Sequence, residues 1–183
     1  MYMKNFKTLL LLVLISILSF QISYAKPPKE LDGDVDFAIK EFERKVNGGG
    51  EFLAKAKGYL VIPTVIKGGF IVGGEYGEGA LRIDGETKHY YSMTSASIGY
   101  QAGVQVYSII LVFSSEASLY NFIRSDGWEA GVDGSITVSN WGASKDITTI
   151  SYEKPIVAFI YGQKGFMASA SIEGTRFQRI IPQ

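Results

Sequence analysis

Proton transfer and nucleophilic attack call for an imidazole, a thiolate or an activated hydroxyl, and this sequence is short of all three. It contains no cysteine and a single histidine, His89. His89 runs into Tyr90 and Tyr91 in a strand-like stretch, where a lone imidazole is more often a packing or surface residue than a base. Serines are plentiful, but no Gly-x-Ser-x-Gly elbow presents one as a nucleophile. Without cysteine there are no disulfides, no thiolate metal ligands and no lipidated cysteine. No catalytic residue, cofactor or metal is expected from this inventory. An enzyme of unrecognised type would need carboxylates converging on His89 or on a serine.

Three other clusters invite chemistry. The run Gly68-Gly69-Phe70-Ile71-Val72-Gly73-Gly74-Glu75-Tyr76-Gly77-Glu78-Gly79 fits neither the dinucleotide fingerprint nor the P-loop pattern, and apolar residues interleave its glycines. Gly68, Gly69, Gly73, Gly74, Gly77 and Gly79 are therefore expected to be structural, at bulges, kinks or close backbone approaches in a curved sheet. Asp126, Glu129 and Asp133 sit among glycines, but the spacing lacks the alternating ligands of a calcium loop, and a turn is expected. Lys40, Arg44 and Lys45, with Lys55 and Lys57 soon after and Lys67 just before the glycine run, are the candidate contacts for anionic headgroups. Asp32, Asp34, Asp36, Glu41 and Glu43 share that first helix, and packing of its apolar stripe explains the pattern at least as well.

The elements that must hold these residues follow from periodicity. Val35, Ile39, Phe42 and Val46 predict an amphipathic helix over 31–47, ended by Asn47-Gly48-Gly49-Gly50, and a short second helix spans 51–57. Strands are expected near Tyr59 to Ile62, Phe70 to Tyr76, Ala80 to Asp84, Lys88 to Met93, Ser95 to Val112, Ser135 to Val138, Pro155 to Tyr161 and Phe166 to Glu173, with Asp84-Gly85 as a hairpin turn. A helix follows a capping serine over 114–124, and 140–149 reads as a loop. The fold class is α+β: one or two N-terminal helices, then a curved, mainly antiparallel, glycine-rich sheet or sandwich with one inserted helix. Trp128, Trp141 and Tyr100 are the aromatic contacts of a structural or protein-interaction role, should they be exposed.

Lys4 and Lys7, the apolar run Leu9 to Phe20 and the small residues Ser23 and Ala25 read as a secretory signal peptide over 1–25, cleaved after Ala25. The apolar run is short of the ~20 residues a spanning helix needs. A single domain over 26–183 is expected, exported, periplasmic if the envelope is Gram-negative, and membrane-associated. The chain carries 18 basic and 18 acidic residues, and loss of Lys4 and Lys7 leaves a net charge of about −2. Nucleic acid is not an expected partner, because phosphate contacts demand a basic excess.

Ala56-Lys57-Gly58-Tyr59-Leu60-Val61-Ile62-Pro63, the glycine run from Lys67 to Gly79, Ser97-Ile98-Gly99-Tyr100-Gln101-Ala102-Gly103-Val104-Gln105, Gly131-Val132-Asp133-Gly134-Ser135 and Ser171-Ile172-Glu173-Gly174 together resemble the SYLF domain family. That family takes in yeast actin-patch proteins, eukaryotic lipid-binding proteins and exported bacterial proteins. The resemblance implies binding rather than catalysis, with an anionic phospholipid or membrane surface as partner. Actin is not expected to meet an exported protein. An envelope structural or protein-interaction role is the alternative.

Overall fold

The computed structural model describes residues 26–69, 72–98, 103–140, 154–164 and 172–182. The signal peptide, the loop over 140–149 apart from Asn140, Trp141 and Tyr100 lie outside them. Helix α1 (Pro28–Lys45) opens with Pro28 in its first turn, where a missing N–H costs nothing. Helix α2 (Gly49–Lys55) follows Gly48, whose φ of 79° turns the chain sharply. Strands β1 (Gly58–Gly69), β2 (Val72–Ile83), β3 (Glu86–Ile98) and β4 (Gly103–Phe113) come next. Helix α3 (Glu116–Arg124) is capped by Ser115, whose Oγ accepts the Ser118 N–H at 3.2 Å. Strands β5 (Trp128–Glu129), β6 (Thr137–Asn140), β7 (Ile156–Lys164) and β8 (Arg176–Ile180) complete the described elements.

The strands form one curled eight-stranded sheet in the order β5-β8-β3-β2-β1-β4-β7-β6. Every pairing is antiparallel except β6 with β7. Both edges are short strands, which leaves little unpaired backbone to template aggregation. The expected hairpin forms with Asp84 and Gly85 both at positive φ, joining β2 to β3.

The sequence predicts one long strand from Ser95 to Val112, but the structure holds two. β3 and β4 do not pair, and β2 and β1 lie between them. Conversely, the two expected strands Phe70 to Tyr76 and Ala80 to Asp84 are one continuous β2 across Gly77 and Gly79. Of the expected strand Phe166 to Glu173, only Ile172 and Glu173 are described and neither is in a strand; the last strand is β8.

The sheet buries both faces through its middle. On one face, Val35, Ala38 and Phe42 of α1 and Phe52 and Leu53 of α2 pack on Val61, Ala80, Ile110, Val112, Val157 and Phe159. Phe159 meets Phe42 at 5.0 Å and Phe52 at 5.5 Å, both edge-on. On the other face, Phe122 of α3 is the hub, with ring centroids 4.9 Å from Tyr91 and Phe113 and 5.5 Å from Trp128. Ile109 to Phe113 alternates between the two cores, which is why it reads as an unbroken apolar run. Trp128 is 1% exposed and so is no surface contact.

Candidate functional site

The pairing of β1 slips between Val61 and Thr64 against β2, and between Ile62 and Val65 against β4, so a β-bulge sits at Ile62-Pro63. Pro63 belongs there because it has no N–H to give a ladder. Two of the predicted structural glycines answer this bulge. A Cβ on Gly79 would lie 1.8 Å from the Val61 carbonyl oxygen, and one on Gly77 would lie 2.6 Å from Ile62 Cγ2. Gly69 is equally tight, 2.3 Å from Gly73 Cα, whereas Gly74 meets nothing closer than 3.7 Å and Gly68 meets nothing within 4 Å.

Beyond the bulge, the ends of β1, β2 and β4 form a tip whose face on the side of α1 is only partly covered by that helix. Ile66 lies opposite Tyr76 and Val106, and Gly68 lies opposite Gly74 and Val104. The alternation puts Val72 on this same face. Ile66 is 53% exposed, Val104 68% and Val72 69%, and Tyr76 is also exposed. Gly68 and Gly74 leave the floor between them without side chains. Phe37, 67% exposed on α1, stands beside this surface and lines a groove of about 400 Å³ with Pro63, Thr64, Val106 and Tyr161. A smaller cavity of about 170 Å³ lies at the start of α1, between Lys26, Leu31, Pro63, Ile66 and Tyr76.

The opposite side of the tip, on the α3 face of the sheet, is ionic. Lys67 Nζ contacts Glu75 Oε1 at 2.5 Å with both side chains nearly enclosed, and the Tyr107 hydroxyl donates to Glu75 Oε2 at 2.5 Å. Burial first, and then the Glu75 carboxylate, push the Tyr107 phenol far above its usual range. Lys67 is therefore turned away from the other candidate cations.

Those others lie along the helices. Lys40 is exposed; Arg44 and Lys45 both hold Glu41, at 2.7 and 2.8 Å; Lys55 holds Glu51 at 2.6 Å; and Lys57 holds Glu116 at 3.3 Å. Two of the acidic residues of α1, Asp32 and Asp36, are used internally. Asp32 accepts from the hydroxyls of Thr87 at 2.7 Å and Tyr90 at 2.9 Å, and Arg82 bridges Asp32 and Asp36. They pin α1 to the β2–β3 hairpin.

His89 is half-buried on β3, and its pKa is lowered by burial and by the charge of Arg179. Among the described residues no carboxylate or serine hydroxyl hydrogen-bonds it. In the Asp126–Gly134 stretch, the Asp133 carboxylate accepts the Glu129 N–H at 2.7 Å, which closes the turn expected there. No described helix is long and apolar enough to cross a membrane.

Sequence reasoning missed the exposed tip, because Ile66, Val72, Tyr76 and Val104 alternate as core residues do. The glycines flanking them were the available signal, since a strand without side chains packs nothing over itself.

Residues 94–179 match the family model described as Las17-binding protein actin regulator, Ysc84. An SH3 domain-containing protein of Schizosaccharomyces pombe is 30% identical over 135 residues, which is 67% of this chain but only 30% of that protein. The matched family comprises binding domains linked to lipid or actin and is not known for catalysis. Over residues 94–179, from the end of β3 through β8, the chain matches the SYLF family.

Proposed function

We propose that this chain is an exported, periplasmic, non-catalytic lipid-binding domain that lays the α1-side face of its β1–β2–β4 tip against an anionic phospholipid surface. One observation carries this reading: Ile66, Val72, Tyr76 and Val104 are exposed together over a glycine floor, with Phe37 beside them. A contiguous apolar surface of this kind marks an interaction site. Its burial in an acyl boundary is favourable by about 25 cal/mol for each Å² removed from water. The cations are secondary. Exposed pairs such as Arg44 and Lys45 with Glu41 add little to stability, so they open readily toward phosphate, and salt weakens that attraction.

Co-sedimentation of the purified mature protein with phosphatidylglycerol-containing vesicles tests the reading. Binding at low ionic strength is expected, and Ile66→Asp with Val104→Asp together should abolish it while leaving the thermal midpoint within a few degrees. No binding at low ionic strength, or full binding by the double variant, contradicts the proposal.

The second reading uses the same face to dock an envelope protein. It is favoured by the internal neutralisation of Arg44, Lys45, Lys55 and Lys57 by Glu41, Glu51 and Glu116. Crosslinking from the tip in cells would then recover one protein and little lipid.

A further inference from the structure

Lys26 stands at the foot of α1, and three carboxylates converge on it. Its Nζ pairs with Asp34 and lies 3.6 Å from Glu30, both on α1. Its backbone N–H donates to Glu78 Oε2 on β2 at 3.2 Å, and Glu78 Oε1 accepts the Tyr76 hydroxyl at 2.5 Å. While the bond to Ala25 is intact, this leaves one cation among three anions within the described residues. A second positive charge on the backbone nitrogen would bring the group closer to balance. The place for that charge is fixed by Pro27 and Pro28, whose rings lock φ and hold Lys26 rigidly ahead of the helix. A cation just before a helix start opposes the macrodipole, and Glu30 in the first turn, Asp34 and Glu78 offset that cost.

We propose that Lys26 is the mature N-terminus and that the α-ammonium released by cleavage docks on Glu78, tying the start of α1 to β2. An endopeptidase that accepts small residues at the two recognition positions, Ser23 and Ala25, adds water across the Ala25–Lys26 amide. The C–N bond breaks, Ala25 leaves as a carboxylate, and the Lys26 nitrogen gains protons to become an ammonium. Its hydrogen bond to Glu78 thereby becomes an ion pair. Leu31, Ile66 and Tyr76 line the cavity that Lys26 closes, so the docked terminus forms one wall beside the exposed tip. Maturation thus completes the rim of the surface that the lipid-binding reading uses, and the inference rests on the export part of that reading.

Two measurements separate the proposal from the reading beneath it. Intact mass and N-terminal sequencing of the protein recovered after expression of the full chain should give a species starting at Lys26. Retention of the leader overturns both export with cleavage and docking. On the cleaved protein, the pKa of the unmodified N-terminal amine is read from the pH dependence of its acetylation rate by trace acetic anhydride, followed by peptide mass spectrometry. The expected value lies about 0.5–1 unit above the ~7.7–8.0 of an unperturbed α-amine and returns to that range in Glu78→Gln. Should Glu78→Gln fail to fold, mature protein extended by Gly-Ser before Lys26 supplies the control. That extension moves the charge away from Glu78, and its amine should titrate in the ordinary range. An ordinary α-amine pKa in the cleaved wild-type protein overturns docking while leaving cleavage and lipid binding standing.

Discussion

The two ends of strand β1 are built from the same alphabet and meet opposite fates. Before the bulge at Ile62-Pro63, Leu60 and Ile62 face the α3 side and Val61 faces α1 and α2, all at 0% exposure. After it, Val65 is still buried, but Ile66, on the face that carries α1, is 53% exposed. The helices cover the base and stop short of the tip, and glycines replace the side chains that would have packed there. A fold that needed the tip only for stability would have no reason to leave Ile66, Val72 and Val104 uncovered. The base is the scaffold, and the tip is the part free to bind.

If that division is right, truncation should be costly at the base and inexpensive at the tip. Phe42→Ala removes a fully buried ring from the α1 interface and should destabilise by about 3–5 kcal/mol, whereas Ile66→Ala should stay within about 0.5 kcal/mol in denaturant titration. Glycine replacement sharpens the same contrast. Gly79→Ala drives a methyl into the Val61 carbonyl and should cost about 3 kcal/mol, while Gly74→Ala at the tip should be nearly neutral.

The α3 side of the tip is the exception that bounds the comparison. Glu75→Leu strands the Lys67 ammonium in an enclosed site and should cost about 3 kcal/mol, and adding Lys67→Met should recover part of that loss. The smallest effect belongs to His89. Its folded-state pKa is lowered, so the unfolded chain binds more protons, and stability rises with pH through the window just below about 6.5 and falls as pH drops through it. Being the sole histidine, it should account for the slope between about pH 5 and 7, and His89→Gln should flatten the plot of unfolding free energy against pH there.

Much of the scaffold was legible in the sequence. The 3.6-residue recurrence of Val35, Ile39, Phe42 and Val46 marked α1, and Asp84-Gly85 marked its hairpin, because both signals are local. What local signals cannot carry is which strand lies beside which. Ser95 to Val112 is β-prone throughout, yet β3 and β4 are separated by two strands. Gly77 and Gly79 looked like breaks in a strand, but they are the positions where β2 must approach the bulge in β1. Strand β8 was missed because Phe177 is its one fully buried apolar side chain among exposed polar ones. The tip escaped notice for a related reason: exposure depends on what covers a residue, and alternation is the same whether or not a helix lies above it. The grouping of Lys67 with the helical cations failed to anticipate that strand alternation would turn it inward to Glu75.

The division of scaffold from binding face is tested most directly by mapping which positions enter a bilayer. The chain has no native cysteine, so single cysteines at Val72 and Val104 on the tip, and at the 74% exposed Val132 elsewhere, can each carry an environment-sensitive fluorophore. On phosphatidylglycerol vesicles doped with doxyl-labelled lipid, the account predicts strong quenching of the labels at 72 and 104 and little at 132. Equal quenching at all three positions, or quenching at 132 alone, would contradict it.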